Sequence, residues 1–122
     1  MNVDIFFDPI CPWCFIGKSR FDRALAERPQ VSLSRRWLPF QLNSTMPPGG
    51  MDRRSYTIAK FGGPERSRRV IGMISDTATK DGLEMRLDEI ERTPNTLDAH
   101  RLVRFAMREG VGAERVIDAL FQ

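Results

Sequence analysis

Asp8-Pro9-Ile10-Cys11-Pro12-Trp13-Cys14 holds the only two cysteines of this chain, at the point where an apolar run (Val3, Ile5, Phe6, Phe7) gives way to a helical pattern. The thiols stand three residues apart, so on the first turn of a helix they can close a small disulfide ring with little backbone movement. Pro12 suits the first helical position, where its missing N–H costs nothing. A helix starting there aims its free N–H groups and its positive dipole end at Cys11. That favours a thiolate, predicts a lowered pKa for Cys11, and leaves a pair that can both attack and be attacked. As metal ligands the two cysteines and the single His100 make three candidates, one short of a closed structural zinc site, and no metal is expected. As a structural staple the pair would close a tiny loop, where chain-entropy stabilisation is least. A redox role leads.

Outward from this stretch, Val3 to Phe7 reads as a buried strand ending at Asp8-Pro9. The helix from Pro12 carries Cys14, Gly17, Phe21, Ala24 and Leu25 on one face, with Gly17 expected to allow close approach to the strand. Its other side (Lys18, Arg20, Asp22, Arg23, Glu27) is expected to face water, and Pro29 stops it. Val31, Leu33, Arg35 and Trp37 then alternate with polar residues, the period of a half-buried strand. Trp37, Pro39 and Phe40 read as core. Strand, helix and strand make a right-handed βαβ unit, with the cysteines beyond the carboxyl end of the first strand, where open α/β sheets place their chemistry.

Asn43 to Met51 is a Pro/Gly loop, and the chain beyond it has mostly helical spacing. Asp52 to Phe61 is one helix, closed by Gly62-Gly63. Pro64 opens another, with Val70, Ile71, Ile74 and Ala78 on one face and Gly82 as its stop. Leu83 to Thr93 is read as irregular. Asn95 is the expected N-cap of a helix whose stripe is Ala99, Leu102, Val103 and Ala106, and a last helix begins near Ala113. His100 lies beside that stripe and is read as a packing or hydrogen-bonding residue. Asp8 either caps its turn or helps to move the proton of Cys14. Trp13 is read as apolar surface for peptide substrates.

Charged residues are 29% of the 122, which with short apolar runs describes a globular chain with nothing to span a bilayer. The net charge of +3 comes from scattered arginines, with no basic stripe interleaved by aromatics, so neither nucleic acid nor membrane is an expected partner. Met1-Asn2 leads directly into the first strand with no secretory signal. A CxxC without such a signal points to a reducing, cytoplasmic setting, in which these pairs are catalytic.

Cys11-Pro12-Trp13-Cys14 after an Asp-Pro strand end is followed by Trp37-Leu38-Pro39-Phe40-Gln41-Leu42-Asn43, and later by Pro94-Asn95-Thr96-Leu97-Asp98-Ala99-His100-Arg101-Leu102. In that order these motifs resemble the DsbA family of thioredoxin-fold oxidoreductases, and within it the FrnE-like cytoplasmic branch. The resemblance runs over essentially the whole chain. It implies an α/β fold in which residues 1–42 form the N-terminal βαβ part of a thioredoxin-like domain. Residues 43–122 would be an α-helical insertion domain, with the later strands of the thioredoxin fold absent. It also implies a loop with a cis-proline facing the CxxC, a context that none of the eight prolines occupies. The two strands seen here and a last helix that stops in mid-stripe at Leu120-Phe121-Gln122 read as a truncated chain. A bare parallel pair would then self-associate through an open sheet edge.

The resemblance implies a thiol–disulfide oxidoreductase with Cys11 as nucleophile and Cys14 as resolving thiol, and with Pro12, Trp13, Asp8 and His100 in support. Protein thiols or disulfides would be its partners, with glutathione as a small one, and it needs no bound cofactor. Related families resemble 2-hydroxychromene-2-carboxylate isomerase and kappa-class glutathione transferases, which typically have Ser at the position matching Cys11. Such an isomerase or transferase is the second reading, and a non-enzymatic chaperone-like module is the third.

Overall fold

The computed structural model describes all 122 residues, which divide into two compact units: Met1–Leu42 with Thr96–Gln122, and Asn43–Asn95. The first unit begins with β1 (Asn2–Phe7), α1 (Pro12–Ala26) and β2 (Ser34–Pro39). The two strands pair in parallel, from Asn2 opposite Ser34 to Phe7 opposite Pro39. α4 (Leu97–Glu109) and α5 (Ala113–Phe121) complete this unit. The sequence reading kept everything from residue 43 onward together. The structure instead returns Thr96–Gln122 to the strands, because Val103 and Ile117 pack directly on Phe7 and Trp37.

Phe7 and Trp37 meet edge to face with ring centroids 5.3 Å apart, and Phe7 also touches Phe121. Burying side chains of this size contributes about 1.5–3 kcal/mol each, so these four residues fix how α4 and α5 lie on the strands. The opposite strand face is bare in this unit. β1 alternates strictly between outward and inward residues, and Phe6 is 64% exposed. The apolar run is therefore a one-sided strand and not a fully buried one. β2 starts three residues later than its periodicity suggests, since Val31 N–H turns back to the Arg28 carbonyl. Trp37 is core as expected; Pro39 and Phe40 are exposed, because the ladder ends as Phe40 N–H bonds the Phe7 carbonyl.

The face of α1 also differs from its pattern. Ile16 and Lys18 are buried, whereas Gly17 and Ala24 are exposed and no atom lies within 4 Å of a Cβ placed on Gly17. Phe15 stacks on Phe121 and Lys18 reaches Asp118, so α5 decides which side of α1 is covered.

The second unit contains α2 (Arg53–Phe61) and α3 (Pro64–Lys80), bounded by local signals that the sequence shows. Asp52 caps α2 by accepting from the Ser55 N–H, and Gly62 closes it at φ 83°. Ile74 and Ala78 are buried on α3, with Val70 and Ile71 half-buried. The segment read as irregular carries a single 3₁₀ turn (Leu87–Glu89) and β4 (Arg92–Thr93), antiparallel to β3 (Met51–Asp52). Asn95 Nδ2 donates to the Met46 carbonyl, tying the Pro/Gly loop to that pair. In the first unit, Thr96 takes the N-cap position of α4 expected of Asn95. The stripe of α4 is Thr96, His100, Val103 and Ala106, and Leu102 is half exposed. No helix is long and apolar enough to cross a membrane.

Candidate active site

α1 begins where Pro12 sets it, with Cys11 as N-cap in an extended conformation. Main-chain bonds from Cys11 N–H to the Asp8 carbonyl and from Cys14 N–H to the Cys11 carbonyl, both 3.0 Å, wind the loop tightly onto the first turn. Neither cysteine is in a disulfide, and both are half-buried. Cys14 packs on the Phe7–Trp37 core, and Trp13 between them is 44% exposed. The pKa of Cys14 is pushed well above the ordinary thiol range. Its S–H is held by Cys11, burial adds to the effect, and the charges of Cys11 and Asp8 oppose ionisation. A main-chain hydrogen bond from Asp8, a larger effect than either of those charges, works the other way. One sulfur accepts and the other keeps its proton, an asymmetry that thiol–disulfide exchange requires.

Asp8 and His100 come together in this unit, a pairing that the sequence reading, which set His100 beside the core or the thiols, did not foresee. Asp8 is 1% and His100 5% exposed, with Nε2 3.4 Å from Asp8 Oδ1. The His100 ring lies edge to face on Phe7 at 5.3 Å. Asp8 Oδ2 accepts the Leu42 N–H at 2.8 Å, so this carboxylate also pins the segment leaving β2. An apolar cavity of about 290 Å³ runs between β1 and α1, past Ile5, Gly17 and Phe21, to Cys14.

Sequence reasoning missed a charged group beneath α1. Lys18 is buried, with Nζ 2.7 Å from both Asp22 and Asp118 and 3.5 Å from Glu114. Arg35 bonds Asp22 and Glu114, and Trp37 Nε1 donates to Glu114 at 2.6 Å. The i, i+4 spacing of Lys18 and Asp22 was the one visible signal; the α5 carboxylates are remote in sequence. No cluster of three or more His, Cys, Asp or Glu side chains is arranged to hold a metal ion.

The model of the DSBA-like thioredoxin domain matches residues 2–122. This chain belongs to that family. A crystal structure of a probable DsbA oxidoreductase from Streptomyces coelicolor, SCO1869, superposes with a TM-score of 0.84 at 29% identity. That match covers 99% of this chain and 52% of the Streptomyces one. The uncharacterized Bacillus subtilis (strain 168) protein YwbO is 26% identical over 125 residues, covering all of this chain and 57% of the relative. This DSBA-like chain thus spans about half the length of the relatives it matches. Its α/β class and its DsbA-like strand–helix–strand start agree with the sequence reading.

Proposed function

We propose that this DSBA-like domain is a thiol–disulfide oxidoreductase of the FrnE-like branch, working through Cys11-Pro12-Trp13-Cys14. The observation that carries it is the asymmetry of the pair: Cys11 caps the helix, while Cys14 lies against the core with its ionisation opposed. Cys11 attacks a client disulfide, forming a mixed disulfide and releasing one client thiol. Cys14 then attacks the Cys11 sulfur, expels the second client thiol and leaves the enzyme pair oxidised. Exposed Trp13 gives extended peptides an apolar place to rest. Pro12 keeps the helix start in register. Asp8 supports Cys14 through its main chain, and His100 supports Asp8.

Clients are protein disulfides or thiols, with glutathione as the small thiol that resets the pair in a reducing cytoplasm. Insulin reduction by dithiothreitol, followed by turbidity, tests the reading. The wild-type chain is expected to speed precipitation and Cys11→Ala to abolish the effect. Equal acceleration by the two would contradict it.

A further inference from the structure

Arg53, Tyr56 and Lys60 of α2 stand at i, i+3 and i+7, which places them on one face of the helix. Both cations lie against the Tyr56 ring, with Arg53 Cζ 5.8 Å and Lys60 Nζ 5.5 Å from its centroid. Tyr56 Oη accepts from Asn43 Nδ2 at 2.8 Å and from Lys60 Nζ at 3.1 Å. Two donors occupy both lone pairs of that oxygen, so its own hydrogen is left to give. Four side chains of the second unit thus meet around one hydroxyl, and what they hold in excess is donors.

Their charge is also unmatched. Arg53 has one side-chain acceptor, Thr93 Oγ1 at 3.2 Å, and Lys60 has one, Tyr56 Oη; neither has a carboxylate. Arg53 Nε is buried with no partner at all, and burial lowers the pKa of its guanidinium. The neighbouring acid in the chain, Asp52, is taken up as the cap of α2, accepting from Ser55 N–H and Oγ, and the cations acting on it are Arg92 and Arg54. In the first unit, by contrast, Lys18 and Arg35 are each matched by carboxylates. Burying a cation without a counter-ion is costly, and a bound anion would offset that cost. The bond to Thr93 holds the guanidinium at β4, so this donor is in place before any ligand arrives.

We propose that this face of α2 is a phosphate-binding site, in which Arg53 and Lys60 supply the charge and Tyr56 O–H and the Asn43 amide supply neutral donors. The ligand class follows from the donors. A carboxylate brings one charge and two oxygens in a plane, enough for one of the two cations. A phosphate or phosphomonoester brings roughly two negative charges and three or more acceptor oxygens, and can engage Arg53 and Lys60 together with the hydroxyl.

The test is a calorimetric titration of the 122-residue chain with inorganic phosphate in a zwitterionic buffer. The wild type should show one saturable site. Lys60→Gln removes an exposed charge, and Tyr56→Phe keeps the ring but removes the hydroxyl; each should weaken binding about tenfold or more. Arg115→Gln, which removes the same charge from exposed α5 surface in the first unit, should leave the affinity as it is. Glycerol phosphate separates the sources of the anion: binding as tight as phosphate supports a phosphomonoester ligand, and binding of phosphate alone supports the free ion. No saturable binding by the wild type overturns the inference. So do equal effects of Lys60→Gln and Arg115→Gln, an affinity that Tyr56→Phe leaves unchanged, or acetate binding as tightly as phosphate. Arg53 also ties α2 to β4, so the decision rests on Lys60 and Tyr56, whose variants keep that bond.

Discussion

Lys18 Nζ lies 2.7 Å from Asp118 Oδ1, which joins the helix carrying both cysteines to α5 through a buried ammonium. Burial alone would lower the pKa of Lys18; the hydrogen bonds it donates to Asp118 and Asp22 outweigh this and raise the pKa. Asp22 shows the converse: burial would raise its pKa, and Lys18 and Arg35 hold it below the usual carboxylate range. A depressed carboxylate pKa contributes stability that is present above the unfolded value and lost as pH falls through the folded one.

Lys18→Met should therefore destabilise the first unit. Breaking a fully buried pair costs about 3–5 kcal/mol, but Asp22, Glu114 and Asp118 are each more than a third exposed and can rehydrate. A loss of about 1–2 kcal/mol is the scale to expect. Urea melts at neutral pH and below the carboxylate range measure it. The variant's deficit should shrink in acid, where the wild type loses the same interactions.

Gly50 tests the second unit. Its φ is 75°, and a Cβ there would run into the Thr93 carbonyl at the β3–β4 pair. Gly50→Ala is expected to cost about 1–3 kcal/mol. Gly62→Ala meets open space at φ 83°, so it carries the backbone penalty alone, about 1 kcal/mol. Amide exchange at Met51 and Asp52 should accelerate in the first variant and not in the second.

Trp13 places no cation between the cysteines. An imidazolium there would stabilise the thiolate and so the reduced form. Trp13→His should raise the reduction potential, with about 30 mV for each 1.4 kcal/mol gained. An unchanged potential in a glutathione titration would mean that the helix end alone sets the thiolate.

What local chemistry determines was legible in the residues. Pro12 starts α1, Asp52 with Ser55 starts α2, Gly62 ends it, and Pro64 opens α3. Cys11 and Cys14 occupy the two ends of one turn because a helix can place them nowhere else. Features set by distant partners were not legible. Lys18 looks like any solvated helix lysine until Asp118 and Glu114 are brought to it. β3 and β4 are two residues each, too short for a period to register. The helices from Thr96 onward have the same pattern whether they pack on one another or on Phe7 and Trp37, and only the tertiary fold chooses. Asp8 and His100 were both singled out, but that they face each other is a result of α4 belonging with the strands.

Alkylation separates the roles of the two thiols. In the reduced chain near neutral pH, iodoacetamide should modify Cys11 first, because Cys14 donates to Cys11 and is held protonated by burial and by its neighbours. Peptide mapping that finds Cys14 modified first would reverse the assignment.

The most direct measurement is an equilibrium titration of the chain in glutathione buffers, with acid-quenched peptides mapped by mass spectrometry. A working exchange pair passes from two thiols to a Cys11–Cys14 disulfide in a single step, with glutathione adducts at Cys11 never accumulating. A stable Cys11–glutathione adduct across the titration, with no internal disulfide, would show that Cys14 does not resolve and would contradict the oxidoreductase reading.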